Sequence, residues 1–319
     1  MAAREAMLVI ALIIVNYNGG DHLQHCLEAV HRQSRQPDRC LLVDNDSRVC
    51  PIHGDEPWLE GVELIRATHN LGYAAANNLA VHLCPEATWI ALLNPDTIPA
   101  LDWLQQLVAS TQTCPDYTSF ASQLIQMEQA DILDGAGDGL SLAGRPYRRG
   151  HGQPIGTQTI AREVFSPCGA AALYRRDRYV AAGGLDEDFF CYLEDADLGF
   201  RLQLMGDRCL YIPAACVQHA GSALTGLRSD FSTYHGHRNM VWLFVKNMPG
   251  LLLWACLPLH LLISLAASAR CAHRGQARTF LKAKYDALAG LPRMWQKRRT
   301  IQKTRHRSVW AIAQTLLRR

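Results

Sequence analysis

One short stretch of the chain concentrates the residues that could do chemistry. Between Gly183 and Leu202 the sequence reads GGLDEDFFCYLEDADLGFRL, in which six carboxylates alternate with aromatic side chains. Like charges at this density repel each other unless a cation or a proton reduces the repulsion. The stretch is therefore more typical of a functional site than of a hydrophobic core. The apolar spacing becomes helical at Glu194, so Glu194 and Asp195 stand at a helix start that favours ionised carboxylates. We predict that Asp195 is a general base with Glu194 beside it, and a solvated acidic helix cap is the alternative.

The elements that must position these carboxylates alternate between strand and helix. Residues 8–15 form a continuous apolar, β-branched run, which is typical of a central parallel strand buried on both faces. Such an order predicts an α/β fold, an open sheet whose ligand crevice lies at the carboxyl ends of its strands. The further elements that we predict are helix 21–33, strands 40–43 and 62–65, a helix ending near 83, strand 89–93, helix 101–110, a strand within 165–176, and a strand at 209–212, shortly after which come Val217, Gln218 and His219.

Carboxylates and amides follow three of these strands, where a crevice would lie. Asp44 could accept a hydrogen bond from a pyrimidine base or a ribose hydroxyl, and Asp96 could hold a hard divalent cation. Each residue alone is more often a turn residue, but together they indicate a binding site. His219 follows a late strand and is a candidate ligand for the same cation, although a lone histidine is usually structural. The other polar residues in these turns are Asn16, Asn18, Asn45 and Asn94.

Two common nucleotide-binding patterns are missing. No G-x-G-x-x-G follows the first strand, and DGAGDG at 134–139 has the wrong spacing and no strand before it. No G-x-x-x-x-G-K-[ST] occurs either. The sequence therefore argues against a dinucleotide-binding domain and against a P-loop.

Charge divides the chain in two. Residues 1–268 hold 18 Lys and Arg against 28 Asp and Glu, whereas residues 269–319 hold 14 against one. An acidic body argues against a nucleic acid substrate, while a basic tail suits an anionic membrane surface or RNA. An RNA-binding protein is the weaker reading because the body has no recognised RNA motif. Eleven cysteines without a C-x-x-C pair predict a reduced, cytoplasmic protein, and the apolar run 7–15 is read as a strand rather than a signal peptide.

A Gly-rich segment at 131–156 carries a cluster of basic residues. We predict a loop or hairpin that lies over the site and orders around an anionic ligand through Arg148 and Arg149, with a solvated connection as the alternative. Small residues at Cys168 and Gly169 would let a substrate approach closely.

The last part of the chain has the composition of a membrane-associating region. Pro249 to Ser268 is twenty residues without Lys, Arg, Asp or Glu, long enough to span a bilayer. A single span would place the basic tail outside, against the positive-inside tendency. We therefore predict a re-entrant or interfacial helix pair broken near Pro258, with His260 near the surface, and a buried docking helix remains open. Two basic amphipathic stripes follow, formed by Leu281, Tyr285 and Leu288 and then by Val309, Ile312 and Leu316.

The motifs together resemble a known family. The segments IIVNYN (13–18), VDNDS (43–47), NLGYAAANN (70–78), LLNPDT (92–97), the acidic stretch at 183–202 and His219 are similar, in order and spacing, to bacterial glycosyltransferase family 2 enzymes of the rhamnosyltransferase-like branch that builds surface polysaccharides. The resemblance covers about residues 8–248. It implies a GT-A fold: a Rossmann-like open mixed sheet, mostly parallel, flanked by helices. The implied catalytic domain is 1–248, divided near 115 into a nucleotide-binding and an acceptor half, followed by the helical region 249–319.

The resemblance also implies an activity and roles for residues. It implies inverting transfer of a sugar, with rhamnose suggested by the branch, from a dTDP-, UDP- or GDP-linked donor, with Mg²⁺ or Mn²⁺, to a glycan or polyprenyl-linked acceptor at the cytoplasmic face of the cell membrane. Asp44 would contact the base, Asp96 and His219 would bind the metal, and Asp195 would be the base catalyst. Asn94 departs from the family's usual carboxylate, which keeps a catalytically silent scaffold subunit open as an alternative. The other residues that the resemblance brings to the donor or acceptor are Asn70, Gly72, Asn77 and Arg238.

Overall fold

The computed structural model of the protein describes residues 8–221 and 229–317. Ten of its twelve strands form one mixed sheet, in the order β10-β12-β6-β11-β4-β1-β2-β3, with β5 added to β12 and β7 to β6. The strands are β1 (Ile10–Asn16), β2 (Arg39–Asp44), β3 (Glu63–Arg66), β4 (Trp89–Leu93), β5 (Thr97–Pro99), β6 (Ser119–Gln126), β7 (Leu133–Ala136), β8 (Asp138–Leu140), β9 (Pro146–Arg148), β10 (Arg162–Val164), β11 (Ala171–Arg175) and β12 (Cys209–His219). The helices are α1 (Asp21–His31), α2 (Gly72–Leu83), α3 (Trp103–Thr113), α4 (Arg176–Ala181), α5 (Glu194–Met205), α6 (Asp230–Asn247), α7 (Gly250–His273), α8 (Ala277–Ala289), α9 (Leu291–Lys303) and α10 (Val309–Leu317).

The first half of the sheet is parallel and buried on both faces. Strand β1 lies between β2 and β4, both parallel to it, and all seven of its residues are buried. Because side chains alternate across a strand, Leu12 and Ile14 pack with α1 and α3, while Ala11 and Ile13 pack with α2 and α5. The expected flanked α/β sheet is therefore present, and the carboxyl ends of β1, β2 and β4 open at the same edge.

The second half of the sheet joins distant parts of the chain. Strand β11 runs antiparallel between β4 and β6, and the long strand β12 runs parallel to β6 with an irregular register between Ile212 and Cys216. The strand predicted at 209–212 is longer than expected and continues, with a bulge, to His219. Its last residues pair with β5, so that His219 is directly opposite Thr97. This pairing places His219 beside Asp96.

The acidic stretch is divided between two tasks. Asp197 pairs with Arg201 one turn along α5, at 2.8 Å, as its spacing predicts. Asp197 also binds the buried Lys246 of α6 at 2.7 Å, and Asp186 binds both Lys246 and Lys297 of α9. These carboxylates therefore fix the C-terminal helices to the body, which leaves Glu194 and Asp195 for a site.

The apolar segment after Lys246 corrects two expectations. Helix α7 runs unbroken from Gly250 to His273 through Pro258, so the break predicted there is wrong. His260 is buried rather than near the surface: its Nδ1 lies 2.8 Å from the carbonyl oxygen of Ala143, and its ring stacks on Phe244 at 4.3 Å. Packing against α6 holds the helix together at a proline that the sequence alone reads as a breaker.

Candidate active site

A cavity of about 400 Å³ opens at the carboxyl ends of the parallel strands. Its walls come from the turns after β1, β2 and β4, the start of α5, the β8–β9 hairpin and the end of β12. Eleven of the predicted site residues line it, namely Asn45, Asn70, Gly72, Asn94, Asp96, Arg148, Cys168, Gly169, Glu194, Asp195 and His219. Residues far apart in the sequence therefore converge on one cleft.

His219 is held between two carboxylates. Its Nδ1 lies 2.7 Å from Asp134 Oδ2 and its Nε2 lies 3.6 Å from Asp96 Oδ1. Burial alone would raise the pKa of Asp134, but the hydrogen bond from His219 and the charge of Arg148 lower it to about 2. An ionised Asp134 can only accept, so it takes the Nδ1 proton, and Nε2 is the ring nitrogen that faces Asp96.

These residues fit a divalent cation. The 3.6 Å distance between His219 Nε2 and Asp96 Oδ1 suits two neighbouring ligands of one octahedral ion, which lie about 3 Å apart. Asn94 adds a buried amide oxygen to the same cavity, and this oxygen has no hydrogen-bond partner within residues 8–221 and 229–317. Oxygen and imidazole ligands suit Mg²⁺ or Mn²⁺.

A second group of possible ligands lies on the opposite wall. Side-chain atoms of Asp138, Cys168 and Asp195 come within 4.8 Å of one another. Burial, with the charge of Asp195, raises the pKa of Asp138 to about 8, and burial raises the pKa of the Cys168 thiol far above its usual value. A protonated carboxyl and a protonated thiol are poor ligands for a hard cation, so we assign the metal site to Asp96 and His219.

Asp195 and Glu194 have different environments at the start of α5. Asp195 lines the cavity and accepts hydrogen bonds from the backbone N–H of Gly169 at 2.8 Å and from that of Ala196 at 2.7 Å. Glu194 is buried, and burial reinforced by the charge of Asp195 raises its pKa well above the ordinary value. Hydrogen bonds to a carboxylate favour its ionised form, so the two backbone N–H groups favour a charged Asp195, whereas burial favours a neutral Glu194.

The loop that leads into α5 has an unusual backbone. Phe190, Tyr192 and Leu193 all have positive φ angles, between 64° and 70°, which residues other than glycine rarely adopt. The buried Asn239 of α6 holds this loop, because its Nδ2 lies within 2.9 Å of the carbonyl oxygens of Phe189, Cys191 and Tyr192. Helix α6 thereby sets where Glu194 and Asp195 begin.

The Gly-rich segment forms a hairpin over the cavity, as expected. Glycine is required at 139 because a Cβ there would lie 2.3 Å from the ring of Tyr147 on the paired strand β9. The close approach lets Tyr147 and Arg148 line the cavity, where Arg148 binds Asp134. Arg149 follows the end of β9 and lines a separate cavity with Arg162, so it does not join Arg148 at this one.

Several predicted donor contacts lie behind the cavity wall. Asn16 donates to Ser47 and accepts from the N–H of Gly19, Asn18 accepts from the N–H groups of Arg48 and Val49, and Asn77 donates to the carbonyl of Tyr73. These hydrogen bonds fold the turns, and the three residues lie outside the cavity lining, so their direct contact with the donor stays a prediction. Asp44 is buried beside Asn45, outside the cavity lining but at the same edge.

Arg238 is also structural. Its guanidinium donates to the carbonyl oxygens of Asp188 and Phe189 at 3.0 and 2.9 Å and lies over the ring of Trp242. It therefore supports the loop before α5 and does not reach the cavity, which corrects the predicted acceptor contact.

Sequence reasoning missed other cavity residues. Asp134 and Asp138 belong to DGAGDG, which was interpreted only as a possible dinucleotide-binding motif. Two acidic residues separated by small residues could instead have indicated a pair of site carboxylates. Phe190 and Tyr192 lay inside the acidic stretch without a role of their own. The remaining aromatic residues that line the cavity are Tyr17, Tyr73, Tyr147 and Phe231.

Comparison with known proteins identifies the family. The sequence model of glycosyl transferase family 2 matches residues 11–179, more than half of the chain, and the chain belongs to this family. The match ends before Asp195 and His219. An N-acetylglucosaminyl-diphospho-decaprenol L-rhamnosyltransferase of Mycobacterium tuberculosis (strain CDC 1551 / Oshkosh) is 26% identical over 261 residues, which cover 75% of this chain and 84% of that protein. The chain is thus a rhamnosyltransferase-like family 2 glycosyltransferase.

Solved structures agree on the fold. GalNAc-T7 with UDP, GalNAc and Mn²⁺ superposes with a TM-score of 0.60 at 15% identity, over 76% of this chain and about half, 48%, of that one. A mannosyltransferase from Pyrobaculum calidifontis in complex with GDP-Man and Mn²⁺ gives a TM-score of 0.54 at 17% identity, over 99% of this chain and 89% of that one. The GT-A-like architecture expected from the motifs is confirmed.

Proposed function

We propose that this protein is an inverting, divalent-metal-dependent glycosyltransferase that extends a lipid-linked glycan in surface polysaccharide synthesis. The observation that carries the proposal is the convergence of Asp96, His219 and Asp195 on one cleft at the carboxyl edge of the sheet. The relative in Mycobacterium tuberculosis is named for transfer of L-rhamnose to a decaprenyl diphosphate-linked N-acetylglucosamine. By this similarity we propose a rhamnosyl donor and a polyprenyl-diphosphate-linked acceptor, used at the cytoplasmic face of the membrane.

The chemistry follows from the two walls of the cleft. Asp96 and His219 would hold Mg²⁺ or Mn²⁺, which as a Lewis acid stabilises charge on a departing diphosphate. On the opposite wall the ionised Asp195 would take the proton of an acceptor hydroxyl as its oxygen bonds to the anomeric carbon and the bond to the diphosphate breaks. Proton transfer of this kind contributes roughly 10²- to 10⁴-fold in rate. Attack opposite the leaving group inverts the anomeric carbon.

The donor side of the cleft is the turn region after β1, β2 and β4. Asn45 and Asn70 line it and are mutually fixed, since Asn45 Nδ2 donates to Asn70 Oδ1 at 3.0 Å and Asn45 Oδ1 accepts from the N–H of Leu71 at 2.8 Å. Asp44 stands next to them at the end of β2. We propose that Asp44 contacts the nucleoside of the donor and that the exposed ring of Tyr17 packs against the same nucleoside.

A donor panel tests the proposal. The full chain would be mixed with dTDP-rhamnose, UDP- and GDP-sugars, each with Mn²⁺, Mg²⁺ or EDTA, and scored by thermal stabilisation. Transfer to a short polyprenyl-diphosphate N-acetylglucosamine would then be followed by mass spectrometry, and NMR of the product would give its anomeric configuration. Metal-dependent binding and transfer with inversion is the expected result. Binding without any turnover would instead support a silent subunit, and turnover that survives EDTA would overturn the metal assignment.

A further inference from the structure

Helix α7 has two apolar faces, and only one of them is packed. Among the described residues it alone is long and apolar enough to cross a bilayer, yet only 22% of its apolar window is buried. A core helix would be buried over most of that window. The residues on its buried stripe are Leu253, Cys256, His260, Ala267 and Cys271, and those on the opposite stripe are Leu251, Trp254, Leu261, Leu262 and Leu265.

The packed face is bound closely to the rest of the protein. Leu253 and Cys256 share a cluster with Leu243 and Phe244 of α6 and with residues of α10. The buried hydrogen bond of His260 to the Ala143 carbonyl connects the middle of α7 to the loop between β8 and β9. A transmembrane orientation would strip this face from the body and leave those polar groups unpaired in lipid. Helix α7 therefore lies flat along the protein.

The open face presents large side chains to solvent. Leu251 is 82% exposed, Trp254 59% and Leu265 66%, on a helix about 36 Å long. A contiguous exposed apolar strip of this kind marks a surface that contacts a protein or a membrane.

The charged residues next to the exposed strip of α7 indicate what kind of surface it contacts. Arg270, Arg274 and Arg278 follow the apolar strip and are exposed, and the region 269–319 contains a single acidic residue, Asp286. That residue already accepts from the hydroxyl of Tyr234 at 2.6 Å. Two copies of a face bordered by three arginines would repel each other, whereas anionic phospholipid headgroups attract them.

We propose that α7 is an in-plane membrane anchor whose outer face, Leu251 to Leu265, inserts among the lipids of an anionic bilayer while its inner face stays packed on the catalytic domain. Arg270, Arg274 and Arg278 then lie at headgroup level, and Trp254 lies at the interface that tryptophan prefers. In this orientation α7 lies in one leaflet and does not span the bilayer. This inference specifies the membrane contact of the proposed function but does not depend on transferase activity.

Binding to lipid vesicles tests whether the outer face of α7 inserts into an anionic bilayer. The full chain would be sedimented with phosphatidylcholine vesicles with and without phosphatidylglycerol. We expect binding to the anionic vesicles, reduced at least about tenfold by Leu262→Glu with Leu265→Glu, because each substitution places a charge in the inserted strip. Replacing Arg270 and Arg274 by Gln should remove the preference for phosphatidylglycerol. A matched control, Val49→Glu with Ile160→Glu, changes two exposed apolar residues elsewhere and should bind like the native chain.

Two further readouts separate the alternatives. A protease-cleavable tag at the C-terminus should remain fully cleavable after vesicle binding; a protected fraction would show spanning and overturn the proposal. Light scattering should find the same mass for the native chain and the Leu262→Glu, Leu265→Glu variant. A native dimer that this variant dissociates, without vesicle binding, would show that a second copy covers the face. Thermal melting of each variant checks folding, and activity on a water-soluble donor is not needed for either outcome.

Discussion

The imidazole of His219 and the carboxylate of Asp134 lie 2.7 Å apart, and this bond determines which ring nitrogen faces Asp96. We expect Asp134→Asn to weaken Mn²⁺ binding by about 10- to 100-fold, because the amide no longer fixes the Nδ1 proton. The affinity can be measured by electron paramagnetic resonance titration of Mn²⁺. Asp131→Asn, an exposed acid in the same segment, is the control. Equal affinities in the two variants would remove Asp134 from the site.

The two carboxylates at the start of α5 should respond differently to neutralisation. Asp195→Asn should lower turnover by roughly 10²- to 10⁴-fold, since it removes the ionised group, while donor affinity stays nearly unchanged. Glu194→Gln replaces a carboxyl that burial already keeps neutral, so its effect on turnover should be much smaller. Steady-state kinetics together with donor titration separates the two. The assignment of the base fails if Asp195→Asn retains turnover within about tenfold.

Asn239 is predicted to position the catalytic loop. Asn239→Ala removes the hydrogen bonds that this amide makes to three backbone carbonyls of the loop, and displacement of a catalytic group by about 1 Å can cost on the order of 10²-fold in rate. We expect kcat to fall while donor affinity is retained, measured below the unfolding transition so that the folded fraction is equal. Asn247→Ala removes a buried amide of the same helix that donates to Asp197 at 2.7 Å, and it should lower stability alone. Matching kcat losses in both variants would indicate a general packing role.

Asp138 should make stability depend on pH. The folded protein keeps this proton up to a pKa of about 8, whereas the unfolded chain releases it near 3.8, so folding loses stability as the pH rises between those values. Asp138→Asn removes the effect and should gain stability relative to the native chain over that range, by at most about 1.4 kcal/mol per pH unit. Urea unfolding at several pH values from about 5 to about 8 measures the difference. Parallel profiles for the two proteins would show that the carboxyl is already ionised.

The parallel half of the fold could be predicted because its strands are continuous apolar runs. β1 and β4 differ from the predicted spans by two residues at most, and the turns after them carry the polar side chains that line the cleft. The pairing of Asp96 with His219 came from family spacing, and the antiparallel contact of β5 with β12 supplies its physical cause. Glu194 and Asp195 could be predicted as site residues because acidic residues are denser in this stretch than a hydrophobic core would allow.

Other features depend on contacts that one sequence does not reveal. Asn16 and Asn45 both end strands, yet one folds its own turn while the other faces the cleft. Lys297 was counted with the basic tail, but it and Lys246 of the body neutralise Asp186 inside the protein. Pro258 was interpreted as a helix break from its residue type alone. For Lys246 and Lys297 the partner lies far along the chain, where the local pattern carries no information.

The pairing of His219 with Thr97 also has a consequence for biosynthesis. The two side chains proposed to bind the metal come together only when a strand near residue 98 is joined by the last strand of the sheet. A nascent chain that has exposed only its first hundred or so residues already holds the sequence of β1 to β4 but lacks one of the two proposed ligands. We therefore expect the proposed site to form only after β12 has emerged, and sequence-distant closure of this kind is slow compared with local folding.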